Sequence, residues 1–112
     1  MDLITAARRD VIGVHLSPAL RDYIVRLVVA TRSAPFDAEV EHAVSPRGSL
    51  ALAAAARARA WLDGRDHALP EDVQEVAVDA LAHRMVLTWA AAAEGRTPRG
   101  IVADILRRTE PL

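Results

Sequence analysis

Two arginines in this sequence occupy positions where a protein could bind an anion. Arg47 follows the pair Ser45-Pro46, and Arg99 follows the pair Thr97-Pro98. Each pair is typical of a helix start, because proline tolerates the first helical position and a preceding hydroxyl can accept a hydrogen bond from a free N–H group. The free N–H groups of a first turn favour an anion, and an arginine beside them can add planar, bidentate hydrogen bonds. Arg47 is therefore the candidate phosphate ligand, although Arg99 occupies the same local position.

The same local pattern also fits a solvated surface arginine without a ligand. The positive end of the helix dipole disfavours a cation there by roughly a few tenths of a kcal/mol, which an exposed side chain tolerates. Arg47 and Arg99 share this local position. Local physics alone therefore does not separate one arginine from the other.

The other polar side chains form no pattern typical of a catalytic or metal-binding site. No two of the four histidines have the i, i+4 spacing of a helical metal-binding pair, so we expect structural roles for them and no metal site. His83 and Arg84 end a predicted helix, where positive charge is favourable. Ser45, Ser49 and Thr97 have no base beside them, and we expect Ser45 and Thr97 to cap helices. The histidines are His15, His42, His67 and His83.

Two groups of charged residues are expected to be exposed to solvent. The acids of the first group lie together at one helix start, where they suit the helix dipole. A catalytic pair of acids would need a cleft and a perturbed environment. The arginines of the second group could contact a partner, but a solvated helix face is the commoner arrangement. The acids are Glu71, Asp72 and Glu75, and the arginines are Arg57, Arg59 and Arg65.

The amino-acid composition excludes several classes of protein. All fourteen basic residues are arginine, so the chain lacks the lysine of a P-loop and cannot form a lysine Schiff base. A formal net charge of -1 argues against a protein held on DNA by phosphate contacts and against polybasic membrane binding. The absence of cysteine excludes disulfides, thiolate nucleophiles and cysteine-based zinc sites.

No targeting or membrane-spanning segment is visible in the sequence. The N-terminal region carries Arg8, Arg9 and Asp10 where a secretory signal would need an apolar stretch. The longest runs without a charged residue or histidine, residues 48–56 and 85–93, fall well short of the roughly 20 residues that span a bilayer. We therefore expect a cytoplasmic protein.

The pattern of prolines and apolar residues predicts an all-α fold. Apolar residues recur at helical spacing after each of four prolines, and an earlier apolar segment ends near Gly13. Gly64 is a candidate helix stop. Residues 33–44 are expected to form a loop, and residues 14–16 and 85–87 short extended stretches. The four prolines are Pro18, Pro46, Pro70 and Pro98. Residues 1–112 are thus expected to form one domain, a compact bundle of four to five helices.

Four separate motifs of this sequence resemble those of one family, and they follow one another in the same order and with the same spacing. Ser-Pro-Arg-Gly-Ser-Leu-Ala-Leu at 45–52 looks like the start of the arginine-bearing helix in the C-terminal lid of MoxR-type AAA+ ATPases. Residues 58–66 resemble the end of that helix and its Gly-Arg-Asp turn. Leu-Pro-Glu-Asp-Val at 69–73 resembles the start of the next helix, and Leu-Ala-His-Arg at 81–84 its end. Magnesium-chelatase ATPase subunits share several of these motifs. The resemblance covers nearly the whole chain.

The resemblance implies a role for Arg47 but none for Arg99. Arg47 aligns with the sensor-2 arginine, which approaches the γ-phosphate of bound ATP, and Ser45 and Pro46 belong to the same nucleotide-contacting segment. The nucleotide can belong to the same subunit or to a neighbouring one. Gly48 departs from the alanine common at its position in the family, which costs some helix stability and leaves the role of Arg47 possible.

The resemblance also implies that the chain is one part of a larger machine. A full ATPase carries a Walker A loop, a Walker B acid pair and an arginine finger on an α/β domain, and none of these is present. The chain is expected to be a fragment, inactive alone, of an ATPase whose α/β core holds ATP and Mg²⁺. The implied partners are that core, neighbouring subunits of a hexameric ring and a client protein, often with von Willebrand A-domain proteins. The implied activity is chaperone-like remodelling driven by ATP hydrolysis.

The sequence is also compatible with two other interpretations. A free-standing helical interaction module would have no nucleotide role, and Arg47 could be changed in it without consequence. A helical DNA-binding domain would show salt-sensitive DNA affinity, which the near-zero net charge already disfavours.

Overall fold

The computed structural model describes residues 3–111 and confirms the all-α prediction. Its helices are α1 (Leu3–Ile12), α2 (Pro18–Ala30), α3 (Arg47–Leu62), α4 (Pro70–Leu81), α5 (Trp89–Ala93) and α6 (Pro98–Arg108). Two short strands, β1 (Val40–His42) and β2 (Val86–Leu87), pair in antiparallel fashion. The five-residue helix α5 is additional to the helices that the sequence pattern predicted. No helix within residues 3–111 is both long and apolar enough to cross a bilayer.

The helix starts follow the proline pattern, with one correction. Ser17 accepts a hydrogen bond from the Leu20 N–H, and Thr97 accepts one from the Gly100 N–H, as the sequence predicts. Ser45 was expected to cap α3 in the same way, and this expectation is wrong, since no side chain caps that helix. Pro46 already has helical angles, with φ -54° and ψ -27°, which places Ser45 one residue too early to act as the cap.

The centre of the fold is the packing of α3 along α4. The buried stripe of α3 has a residue at every fourth position, and its small members let the two backbones approach closely. The stripe consists of Gly48, Leu52, Ala56 and Ala60. The buried apolar side chains of the two helices are all at most 1% exposed. They are Leu52, Ala56 and Ala60 of α3 and Val73, Ala77 and Leu81 of α4. This pair forms the rigid platform from which the N-terminal turn of α3 projects.

The end of α3 and the segment after α1 are joined by backbone hydrogen bonds. Gly64 has φ +80° and ends α3 as predicted, with the Arg65 N–H donating to the Ala60 carbonyl at 2.9 Å. The His15 N–H donates to the Asp66 carbonyl at 2.8 Å, and the His15 carbonyl accepts from the Ala68 N–H at 2.9 Å. The extended stretch expected at residues 14–16 is therefore a single parallel bridge.

Residues 33–44 are less irregular than the sequence suggests. A 3₁₀ turn at Phe36–Ala38 and the strand β1 lie within this predicted loop. Val40 pairs with Leu87 of β2, so the extended stretch predicted at residues 85–87 has its partner here. The aromatic ring of Phe36 is buried, which ties the loop to the core. The loop is therefore held at both ends before it reaches α3.

Candidate functional site

Arg47 is the first residue of α3, and its side chain is exposed to solvent. Its guanidinium makes no hydrogen bond, ion pair or aromatic contact with any residue of the described part of the chain. The turn around it closes on itself, with the Gly48 N–H donating to the Ser45 carbonyl at 2.8 Å. The Ser49 hydroxyl donates to the Pro46 carbonyl at 2.5 Å. Arg47 therefore projects from a defined turn with its donors available to a ligand.

Arg99 differs from Arg47 despite its matching local sequence. Its guanidinium lies 3.0 Å from the Asp79 carboxylate, and both side chains are mostly exposed. Thr97 caps the start of α6, so that turn already has a side-chain acceptor for the Gly100 N–H. The structure thus separates the two arginines that the sequence pattern alone could not.

The segment that leads into Arg47 is fixed at Val44. The Val44 N–H donates to the Thr31 hydroxyl at 3.2 Å, and the Val44 carbonyl accepts a hydrogen bond from the Arg32 guanidinium. The Val44 side chain is fully buried. Both polar groups and the side chain of Val44 are therefore held by residues at the end of α2 or by the core.

Gly48 is a buried position where a larger residue has no room. A Cβ atom built on Gly48 would lie 2.2 Å from Cγ1 of Val44, well inside the contact limit. The glycine at this position, where the resembled family commonly has alanine, is therefore matched to the valine at position 44. This close approach joins the first turn of α3 to the residue that precedes it.

An apolar groove between α2 and α3 opens beside Arg47, and we call it the α2–α3 groove. Two adjoining cavities of about 190 Å³ and 130 Å³ form it. Val25, Val29 and Leu50 lie along it with large exposed fractions, and Pro46 and Ser49 line the end nearest Arg47. Exposed apolar side chains at one place are typical of a surface that another domain covers.

Asp72, Arg59 and Arg65 form an ion-pair cluster, which corrects the expectation that these residues are solvated. Asp72 is 0% exposed, and its carboxylate accepts from Arg65 at 2.6 Å and 2.7 Å and from Arg59 at 2.6 Å. It also accepts from the Leu69 N–H at 2.7 Å, which caps α4. The hydrogen bonds from Arg65 hold the pKa of Asp72 well below its ordinary value, with Leu69 and Arg59 adding to this and burial opposing it.

This cluster is structural, since the Asp72 carboxylate already accepts four hydrogen bonds, has no acceptor capacity left for a substrate and lies inside the fold. The hydrogen bonding between Arg65 and Asp72 also raises the pKa of Arg65 above its ordinary value. Arg57, the third arginine expected to be solvated, donates to the Val14 carbonyl at 3.2 Å. Glu71 and Glu75 are exposed, as predicted. Nothing in the spacing of these residues signals the cluster, because it depends on how α3 turns back onto α4.

The four histidines are exposed, and the backbones of His15 and His67 are partners in the parallel bridge. The His83 ring lies 3.2 Å from the Asp79 carbonyl, in the turn that ends α4, which fits the structural role predicted for it at a helix end. The His67 ring lies 3.0 Å from the Asp66 carboxylate, and His15 and His42 are exposed. Within residues 3–111, no three histidine or acidic side chains come together in a group that could hold a metal ion.

Comparisons with known proteins agree with the resemblance. Residues 29–105 match the AAA lid domain family. The chain is 41% identical over 99 residues to the uncharacterized protein YeaC of Bacillus subtilis, covering 88% of this chain and 30% of that protein. It is 42% identical over 95 residues to the chaperone MoxR1 of Mycobacterium tuberculosis, covering 80% of this chain and 25% of that protein.

A solved structure shows the same architecture. The crystal structure of a proposed ATPase from Cytophaga hutchinsonii superposes with a TM-score of 0.86 at 36% identity, over 91% of this chain and 33% of that one. The chain therefore spans between about a quarter and a third of the length of these relatives.

Proposed function

The chain belongs to the AAA lid domain family and is the lid of a MoxR-type AAA+ ATPase, and from this premise we propose that Arg47 is its sensor-2 arginine. In this proposal Arg47 contacts the γ-phosphate of ATP that an α/β nucleotide-binding domain holds. Ser45 and Pro46 lie beside that contact. The nucleotide belongs to the α/β domain of the same subunit or of its neighbour in a ring.

The observation that carries the proposal is the state of the Arg47 side chain. It is exposed and without an intramolecular partner in the described structure, at a helix start that no side chain caps. Its local counterpart Arg99 is paired with Asp79 at 3.0 Å and sits behind a capped turn. An unpaired arginine on a rigidly held turn is suited to a phosphate that arrives from outside the domain.

The chemistry follows from the charge of the guanidinium. Phosphoryl transfer from ATP develops charge on the oxygens of the γ-phosphate, and catalysis comes mainly from positioned groups that stabilise this charge. Arg47 supplies one such group. The phosphate-binding loop and the Mg²⁺ site belong to the α/β domain, since this chain has no lysine for a P-loop. The lid therefore contributes to turnover without performing it alone.

We also propose that movement of the lid transmits the nucleotide state to the rest of the assembly, and the α2–α3 groove supports this. Its exposed apolar side chains Val25, Val29 and Leu50 adjoin the Arg47 turn. An α/β domain that covers this groove would move the lid whenever the γ-phosphate contact forms or breaks. We propose that this movement drives a ring of subunits to remodel a client protein, with von Willebrand A-domain proteins as candidate partners.

The test uses the polypeptide in which an α/β nucleotide-binding domain precedes this lid. Arg47→Ala should lower ATP turnover at least about tenfold, because it removes a charge-assisted contact to the transferred phosphoryl group. Arg99→Ala is the matched control, since it removes an exposed arginine from the same local position, and its turnover should stay within about twofold. Equal turnover in Arg47→Ala and the parent protein would contradict the sensor-2 role and favour a helical interaction module instead.

A further inference from the structure

We propose that Thr31, at the end of α2, is a positioning residue for Arg47 and acts by fixing Val44. This inference rests on the proposed contact between Arg47 and ATP. Thr31 is too deeply buried to touch a ligand, with 0% of its surface exposed. Its effect on ATP turnover therefore passes through the segment that carries Arg47.

The Thr31 hydroxyl makes two hydrogen bonds, one as donor and one as acceptor. Its hydroxyl donates to the Val28 carbonyl of α2 at 2.7 Å and accepts from the Val44 N–H at 3.2 Å. The donated bond orients the oxygen, so its lone pair points to the incoming segment. Arg32, the next residue, donates to the Val44 carbonyl. Two neighbouring side chains at one helix end thus satisfy both polar groups of Val44.

Val44 and Arg47 are three residues apart, and the segment between them has little conformational freedom. Proline at position 46 restricts its own φ, and the Gly48 N–H closes the turn on the Ser45 carbonyl at 2.8 Å. The Val44 side chain also packs directly on Gly48, where a Cβ would lie 2.2 Å from it. A shift of Val44 therefore shifts the turn that holds Arg47, both through the chain and through this packing contact.

The hydrogen bonds to Val44 matter for the position of Arg47 because no side chain caps the start of α3. In α2 and α6 a Ser or Thr side chain fixes the first turn from within. No side chain caps α3, so the bonds to Val44 replace a cap and hold the start of α3 from outside. A displacement of about 1 Å of a group that positions a reacting phosphate can lower a rate by about 10²-fold. Thr31 should therefore affect kcat more than nucleotide binding.

The experiment measures ATP turnover and ADP affinity in the polypeptide that carries both the α/β domain and this lid. Thr31→Val keeps the shape of the side chain and removes the hydroxyl, and it should lower kcat about tenfold with ADP affinity unchanged. Thr31→Ser restores the hydroxyl and should recover most of kcat. Ser33→Ala is the matched control, because the Ser33 hydroxyl donates to the Val29 carbonyl at 2.9 Å and does not touch Val44.

A double-mutant cycle with Arg47→Ala separates positioning from a general loss of stability. If Thr31 acts through Arg47, adding Thr31→Val to Arg47→Ala should lower kcat no further. If the kcat losses of Thr31→Val and Arg47→Ala multiply in the double variant, Thr31 does not act through Arg47 and the inference is wrong. A loss of kcat in Ser33→Ala equal to that in Thr31→Val would also overturn the inference. Both outcomes leave the role of Arg47 intact. Unchanged turnover in Arg47→Ala alone removes the proposed function and this inference with it. Should Thr31→Val fail to fold, Arg32→Met removes the second bond to Val44 and enters the same cycle with the same expectations.

Discussion

The arginines of this lid serve two physical purposes that their sequence positions do not distinguish. Arg59 and Arg65 neutralise a carboxylate inside the fold, and their charges are satisfied there. Arg47 has no partner among the described residues, so its charge remains available. The difference comes from what each side chain meets in three dimensions. It determines which arginines stabilise the lid and which arginine keeps its hydrogen-bond donors available.

The buried carboxylate of Asp72 leads to a prediction about stability. Asp72→Asn should lower the free energy of unfolding by about 2–3 kcal/mol, because it removes the counter-charge that Arg59 and Arg65 share. The loss is limited because both arginines are partly exposed and Arg65 keeps its ion pair with Asp63 at 3.1 Å. Asp79→Asn is the control, since it breaks the exposed pair with Arg99 and should cost less than about 1 kcal/mol. Urea unfolding at neutral pH measures both, and equal effects would show that burial of Asp72 adds nothing.

The same carboxylate should contribute to acid sensitivity. Its pKa is lowered in the folded state, so the unfolded chain binds the proton more readily. The stabilisation is therefore fully present above the ordinary pKa of an aspartate, about 4, and is lost as the pH falls towards the lowered folded value. In Asp72→Asn the loss of stability between neutral pH and about pH 3 should be smaller than in the parent chain.

Single residues were predictable from the sequence where their role is local. Thr97 and Ser17 cap helices because a hydroxyl one residue before a first-turn proline meets a nearby N–H. Ser45 has the same neighbours, yet Pro46 takes helical angles and shifts the boundary by one residue. Asp72 was expected to be solvated, since its two arginine partners lie 13 and 7 residues away along the chain. Tertiary contacts decide such cases.

At the scale of elements, the start of α3 is matched to the segment before it. Gly48→Ala alone should destabilise the lid by about 1–3 kcal/mol, because the new Cβ meets the buried Cγ1 of Val44 at 2.2 Å. Any gain in helix propensity is less than about 1 kcal/mol. In the double variant Val44→Ala/Gly48→Ala the clash is absent, and its loss of stability should be clearly smaller than the sum of the single losses. Thermal unfolding measures the three variants, and strictly additive effects would contradict the close packing.

The helices were predictable from the sequence because proline starts and apolar spacing are local signals. Gly64 ended α3 as expected, since a positive φ is accessible to glycine. The sequence pattern did not predict the strand β1, because Val40 and His42 pair with residues of β2 more than forty positions later. The five-residue helix α5 is too short to show a period. Short elements that depend on distant partners carry little local signal.

At the scale of the whole molecule, the proposed contact with ATP needs a second domain. The chain spans between about a quarter and a third of its relatives and contains no lysine. The division into this lid and a separate α/β domain stays a prediction, and so does the ring that the two would form. The exposed apolar residues of the α2–α3 groove are the surface on which such a domain is proposed to pack. The fold and family thus follow from the sequence, while the proposed contact with nucleotide requires the expected α/β domain.

The most direct test of the account compares the affinities of a non-hydrolysable ATP analogue and of ADP, in the polypeptide that joins the α/β domain to this lid. Arg47 is proposed to contact only the γ-phosphate, so Arg47→Ala should weaken binding of the ATP analogue by about tenfold and leave ADP affinity unchanged. Arg99→Ala should preserve both affinities. If Arg47→Ala keeps the parent preference for the ATP analogue over ADP, Arg47 does not contact the γ-phosphate, and the central claim is wrong.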